Sequence, residues 1–227
     1  NLANKNNVCA IIPFYNEADK IETVVRRTLP FVKHVICIDD GSTDNYFLSE
    51  EILQNITLIK HSKNFGKGRA LNSGFKKGTD LGFTIFITLD GDLQHNPEFI
   101  PYLVNEIIKF DIVIGKRNFF KSNMPLPRRF SNFLSSKILS ILAGQKILDS
   151  QSGFRCIKSE VIKKCKINSD GFEAETELIL KASKNKFSIG FVEIPTIYSD
   201  NDNSKIKNLN SIMGFLNIII KFLYERN

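Results

Sequence analysis

Phe83-Thr84-Ile85-Phe86-Ile87-Thr88-Leu89-Asp90-Gly91-Asp92-Leu93-Gln94-His95 is the stretch on which the reading of this chain turns. Its apolar and β-branched run has the pattern of a buried strand, and it ends in two carboxylates separated by a single glycine. In open α/β sheets, ligands bind just outside the carboxyl ends of the strands. Two carboxylates held so close repel each other unless a cation lies between them. A hard divalent ion carrying a substrate diphosphate is the natural occupant, because magnesium and manganese favour oxygen ligands and phosphate. Taken alone, the triplet also reads as a polar turn that closes the strand.

Outward from this strand the same alternation repeats. Strands are expected at Val8–Ile12, ended by Pro13, and at His34–Ile38, Ile56–Ile59 and Ile112–Ile114. Between them, Ile21, Val24, Val25 and Thr28 have helical spacing and stop at Pro30. Gly66 to Gly74 opens a second helix, and Phe99, Ile100, Leu103, Val104 and Ile107 mark a third. The alternation predicts an α/β fold, a doubly wound and mostly parallel sheet with helices on both faces.

After residue 115 the pattern changes. Lys116 to Arg129, with Pro125 and Pro127, reads as a basic loop. A basic amphipathic helix then spans Arg129 to Ala143, followed by a short strand at Gly153–Ile157 and a helix at Glu173–Lys184. Ser188–Tyr198 reads as extended, and an apolar helix covers Ser211–Tyr224. The expectation is one domain, with a nucleotide-binding half (1–115) and an acceptor-side half (116–227).

At 227 residues the chain can bury a full core, and 42% hydrophobic residues is ordinary for a globular protein. The formal charge of +7 suits anionic lipid or a phosphorylated substrate. Nucleic acid ranks last, because the basic residues are dispersed and no reader motif accompanies them. Cys9, Cys37, Cys156 and Cys165 form no metal or disulfide pattern, which favours a reducing, cytoplasmic location. No run reaches the roughly 18 apolar residues of a membrane-spanning helix, and no signal peptide is evident. The start at Asn1 and the stop at Asn227 suggest a trimmed chain.

Three motifs share one position, each following a strand: Pro13-Phe14-Tyr15-Asn16-Glu17, Asp39-Asp40-Gly41-Ser42, and Asp90-Gly91-Asp92. Such strand ends lie side by side along one sheet edge, so their carboxylates can share a ligand. Asp39 or Asp40 would suit a ribose hydroxyl or a base, with turn formation as the competing role. Glu17 also reads as a first-turn helix acid. Gly66-Lys67-Gly68-Arg69 offers glycines and cations at a helix start, a phosphate-facing surface or a solvated basic turn.

With Asn64-Phe65-Gly66-Lys67-Gly68 and Asp149-Ser150-Gln151-Ser152-Gly153-Phe154-Arg155, these motifs resemble the family 2 glycosyltransferases, in order, over residues 8 to 200. The branch they are most similar to is the dolichol- or polyprenol-phosphate hexose synthases. The resemblance implies a GT-A fold and an inverting transfer from a UDP- or GDP-hexose, with magnesium or manganese as cofactor. It implies that Asp90, Asp92 and Gln94 hold the metal or donor diphosphate, with Asp92 at the catalytic centre. Pro13, Tyr15, Glu17 and Asp40 would frame the nucleoside, and Lys67 and Arg117 would add cations on the donor side. Ser152 and Arg155 would face the phosphate of a polyprenyl acceptor. One departure stands out: where the family carries an arginine ahead of Gly-x-Ser-Lys, this chain has Tyr198-Ser199-Asp200-Asn201-Asp202-Asn203-Ser204-Lys205. Lys205 is left to supply one charge to the diphosphate.

An acceptor phosphate is already anionic and needs no general base. A saccharide or other hydroxyl acceptor does need one. Glu175 is the candidate base, since helical spacing puts it in the inward stripe with Ala174, Leu178, Ile179 and Ala182. Glu173 and Glu177 are expected nearer solvent. A third reading is a nucleotide-sugar-binding protein without turnover. Arg128 and Arg129, ahead of Phe130, Phe133, Leu134, Ile138, Ile141 and Leu142, suit peripheral association with the cytoplasmic face of a membrane. The same is true of Ile212–Leu223. The competing fate of both stripes is packing on the domain.

Overall fold

The computed structural model describes residues 7–117, 126–195 and 209–224. The first strand, β1 (Val8–Phe14), leads into α1 (Ile21–Thr28), and a 3₁₀ turn holding Pro30 passes the chain to β2 (His34–Asp39). A short helix α2 (Glu50–Asn55) precedes β3 (Ile56–Lys60), and α3 (Lys67–Asp80) precedes β4 (Ile85–Thr88). Then come α4 (Ile100–Glu106), β5 (Ile112–Arg117) and α5 (Leu126–Ala143). The chain closes with β6 (Arg155–Lys158), α6 (Ser159–Lys164), α7 (Ala174–Lys184), β7 (Ile189–Ile194) and α8 (Leu209–Tyr224). The short helices α2 and α6 are absent from the sequence reading, because a six-residue helix has too little length to show a period.

Seven strands form one sheet in the order β3-β2-β1-β4-β6-β5-β7. It is parallel except at β6, which runs antiparallel between β4 and β5. The sheet is therefore mixed, and the antiparallel insertion carries the Ser152-Gly153-Phe154-Arg155 segment back to the end of β4, where Thr88 pairs with Arg155.

Alternation along β1 divides the core. Cys9 and Ile11 face α3, α5 and α7, whereas Val8, Ala10, Ile12 and Phe14 face α1, α2 and α4. Helices thus cover both faces, as the doubly wound pattern requires. All four cysteines are buried and unbridged, and burial pushes the Cys9 thiol up to about 12. Among the described residues no helix is long and apolar enough to cross a membrane.

Candidate active site

Strand β4 ends by delivering Asp90 and Asp92 to the carboxyl edge of the sheet. Gly91 between them lies against Phe14, whose Cβ would stand 2.8 Å from any added Cβ, so a larger residue would push the turn off the sheet. The backbone next bends through the left-handed region at Leu93 (φ 66°), an unfavourable conformation for a residue with a side chain. That bend lets the Gln94 amide donate to Asp92 Oδ1 at 3.0 Å.

Asp90, Asp92 and Gln94 line a cleft of about 400 Å³ with Lys67, His95, Arg117, Gly153 and Glu175. Lys67 reaches in from the first turn of α3. Its ammonium lies 2.6 Å from Asp90 and 2.8 Å from Glu175, joining the end of β4 to α7. Burial disfavours its charge, but Asp90 and Glu175 outweigh that and hold it above the ordinary lysine range. Gly153 forms the bed for this pair. A Cβ there would meet Asp90 Oδ2 at 2.7 Å and Lys67 Nζ at 2.9 Å.

Asp92 has no such cation. Burial, with the repulsion of Asp90, raises it to about 6, and Glu17 adds to the same effect. The donors here are all hard oxygens: two carboxylates and an amide carbonyl. Among the described residues no three His, Cys, Asp or Glu side chains are placed to hold a metal together. The set therefore fits an ion such as magnesium, which takes one or two carboxylates and completes its shell with substrate phosphates.

Several expected roles change in the structure. Arg155 is 2% exposed, and its guanidinium donates to the carbonyls of Ser150, Ser152 and Glu175 at 2.8–3.0 Å. Ser152 is fully buried, so neither residue of this pair lines the cleft. Together they brace the turn that carries Gly153. Asp40 also turns inward: its carboxylate accepts from His61 Nδ1 and from the amides of Phe65 and Gly66, at 2.7–3.1 Å. The start of α3 is not phosphate-facing, because the Gly68 and Arg69 amides both donate to Asp170 O. Glu177 is buried rather than solvated. It accepts from the Asn168 and Ser169 amides and pairs with Lys181 at 2.6 Å, anchoring the loop that closes on α3.

Three residues expected to frame the nucleoside, Pro13, Tyr15 and Glu17, are not among those lining this cleft. Pro13 is buried at the end of β1, with Tyr15 and Glu17 partly exposed beyond it, and Glu17 pairs with Lys20 at 2.8 Å. Arg117 ends β5 in the cleft wall, bound in bidentate fashion by Asp149 at 2.7 and 2.8 Å. Glu175 faces inward at 9% exposure and Glu173 lines the rim. Lys205 and the loop around it lie outside the described residues, as does the side chain of Arg128.

Of the two fates open to the apolar stripe of helix α5, packing on the domain is not the one the structure shows for most of it. Asn132, Ser135, Ser136 and Leu139 are buried, while Phe130, Phe133, Leu134 and Ile141 are exposed. The buried serines meet the turn after Asp149: Ser136 Oγ lies 3.2 Å from Ser150 Oγ and accepts the Ser150 amide at 3.0 Å. The sequence signal was a polar stripe offset from the apolar one, Asn132-Ser135-Ser136. His95, too, enters the site without having been singled out.

A metal-suited turn at the end of a central strand, facing a cleft closed by a late helix pair, suits transfer from a nucleotide sugar. The sequence profile described as Glycosyl transferase family 2 matches residues 9–166. The chain belongs to this family. It is a glycosyltransferase of the GT-A fold, on the polyprenyl-phosphate side of the family. Its relatives include the UDP-N-acetylglucosamine–dolichyl-phosphate N-acetylglucosaminyltransferase of Methanococcus voltae, 35% identical over 230 residues, covering 90% of each chain. The dolichol-phosphate mannosyltransferase of Pyrococcus furiosus is 30% identical over 202 residues, 83% of this chain and 55% of that protein. The fold is similar to that of the glucosyl-3-phosphoglycerate synthase of Mycobacterium tuberculosis, solved with Mn2+, UDP and glucosyl-3-phosphoglycerate. The TM-score is 0.70 at 18% identity, covering 96% of this chain and 79% of that one.

Proposed function

We propose that this glycosyltransferase moves a hexose, with inversion, from a UDP- or GDP-sugar to a polyprenyl phosphate. The observation that carries the acceptor class is the two-sided cleft. Its floor is polar, from Asp90, Asp92 and Gln94, and its wall is apolar, from Leu134, Ile138, Phe172, Phe215 and Leu216. That wall continues onto the exposed Phe130, Phe133 and Ile141 of α5 and Met213, Ile220 and Leu223 of α8. A lipid phosphate needs both surfaces: a polar one for its head and an apolar path for its chain. The names of the relatives point the same way for those proteins.

Asp90, Asp92 and Gln94 would hold magnesium or manganese, which when bound neutralises charge on the departing nucleoside diphosphate. Lys67 stands beside Asp90 to add a cation to the same region. Arg117 is held rigid by Asp149 and presents a planar cation to phosphate oxygens. An oxygen of the acceptor phosphate attacks the anomeric carbon as the bond to the diphosphate breaks, and inversion follows from attack on the opposite face. No proton has to be removed. The hydroxyl-acceptor alternative needs Glu175 as base, yet Glu175 Oε1 already receives Lys67, which favours a bracing role.

The exposed apolar faces of α5 and α8, with Arg129 on α5 and Lys221 on α8, suit the surface of an anionic bilayer. We place the working enzyme at the cytoplasmic face of a membrane. The test is product formation from UDP-N-acetylglucosamine, UDP-glucose and GDP-mannose with a short polyprenyl phosphate and manganese. One donor should give a lipid-linked sugar, and Asp92→Ala should lower turnover about 10²-fold or more. Transfer to a saccharide hydroxyl instead, abolished in Glu175→Gln, would replace this reading with the alternative.

A further inference from the structure

His95 takes no part in the mechanism above, yet it helps to close the floor of the cleft. The residue is 6% exposed and stacks on Phe154, with ring centroids 5.4 Å apart and planes at 25°. Its Nδ1 accepts the backbone N–H of Asp90 at 3.3 Å. A ring nitrogen that accepts a hydrogen bond carries no proton, so the ring hydrogen is on Nε2. Nε2 has no hydrogen-bond partner among the described residues, and the ring lines the cleft with Lys67, Asp90, Gln94 and Arg117. The stacking fixes the ring plane and the Asp90 amide fixes its rotation, so the Nε2–H is held in one direction on a ring that lines the cleft.

Two chemistries compete for such a nitrogen. Metal ligation would need the lone pair on Nε2 and therefore the proton on Nδ1, where it would collide with the Asp90 N–H. The bond to Asp90 thus excludes His95 from the metal set, although it follows Gln94 directly in sequence. Donation needs an acceptor oxygen. Three of the nearby carboxylates already receive cations, Asp90 and Glu175 from Lys67 and Asp149 from Arg117, while Asp92 takes the Gln94 amide and is reserved for the metal. The same two cations draw anions to this floor.

We infer that His95 is a substrate-binding residue whose Nε2–H donates to a phosphate oxygen in the cleft, from either the donor diphosphate or the acceptor phosphate. This assignment rests on the transferase reading of the site.

Two variants separate contact from support. His95→Asn places an acceptor near the position of Nδ1, keeping the brace on Asp90 but losing the Nε2 donor. His95→Gln reaches the position of Nε2 and loses the brace. Calorimetric titration with UDP and GDP in manganese reads the donor arm, and KM for a short polyprenyl phosphate reads the acceptor arm. The Asn variant should lose about 10- to 100-fold on one arm, the range for a hydrogen bond to a charged group, with its melting temperature retained. The Gln variant should recover part of that loss. Wild-type behaviour of the Asn variant on both arms would overturn the assignment.

Nitrogen NMR of the unaltered protein gives an independent check. The His95 proton should be on Nε2, and its signal should move when inorganic pyrophosphate is added. A proton on Nδ1, or an Nε2 signal indifferent to pyrophosphate, sinks the proposal whatever the variants do. Should no sugar nucleotide turn over while the signal still moves, the transferase reading fails and the phosphate contact stands.

Discussion

Helices α3 and α5 cover the same face of the sheet on opposite plans. Helix α3 is conventional: Ala70, Leu71 and Phe75 are buried where it packs on β1, β2 and the Phe86 ring of β4, and Lys76 and Asp80 face water. Helix α5 buries Asn132, Ser135 and Ser136 and exposes Phe130, Phe133 and Ile141. The difference follows from what each packs against. Phe75 meets the ring of Phe86 at 5.5 Å, an apolar sheet surface. The inner side of α5 meets the turn at Ser150, whose backbone and hydroxyl need partners. Where a helix faces a functional turn, its buried side follows the turn's hydrogen bonds, and the apolar side is left for a ligand or a surface.

The contrast is sharpest in stability. Phe75→Ala removes a ring that is 2% exposed and leaves a cavity, so it should cost about 3–5 kcal/mol in urea unfolding. The polar half has its own equivalent. Asp149→Ala strips the buried Arg117 of its bidentate partner, and breaking such a pair costs about 3–5 kcal/mol. Ser136→Ala, which removes one hydroxyl facing Ser150, should cost about 1 kcal/mol. If Ser136→Ala proved stabilising, the polar interior of α5 would be an incidental feature rather than the support of the turn.

The two plans also explain what the sequence made readable. The first half repeats one unit, with apolar strands, helical spacing and turn acids; β1 to β4 match the expected strands to within two residues, the usual uncertainty of element ends, and β5 runs three residues further. Asp90, Asp92, Gln94 and Arg117 converge after strand ends on one cleft, and Lys67 joins them from a helix start. The roles that changed belong to long-range contacts. Arg155 reads as a phosphate ligand until β6 inserts antiparallel and buries it. Asp40 reads as a nucleoside contact until the chain from His61 to Gly66 returns to it. His95 was hidden because its role depends on one ring nitrogen meeting the Asp90 amide, which spacing alone does not encode.

A subtler effect comes from Asp92, which titrates at about 6 against an ordinary 3.8. The sign follows from which form is disfavoured. The folded state prefers the protonated acid, so without ligand this group adds stability as pH falls through about 6 and offers none above it. Metal and nucleotide need the ionised form. Affinity for manganese with a nucleotide diphosphate should be flat above about pH 6 and fall about tenfold per unit below it, as one proton is displaced. Asp92→Asn should abolish that slope together with most of the affinity. A slope that survives in Asp92→Asn would mean another group titrates there.

The smallest expected change in stability tests the outer face of α5. Phe133 is 60% exposed, so Phe133→Ser should shift unfolding by less than about 0.5 kcal/mol, the range for surface positions. The same substitution should weaken sedimentation with vesicles rich in anionic lipid about tenfold or more, because moving an aromatic ring from water into a bilayer is favourable by roughly 1.5–3 kcal/mol. Turnover with an acceptor whose chain is too short to pass beyond the cleft lining should be unchanged, since Phe133 lies on the outer part of the apolar path. A stability loss comparable to Phe75→Ala would mean that this face is covered by protein, and α5 would then follow the same plan as α3.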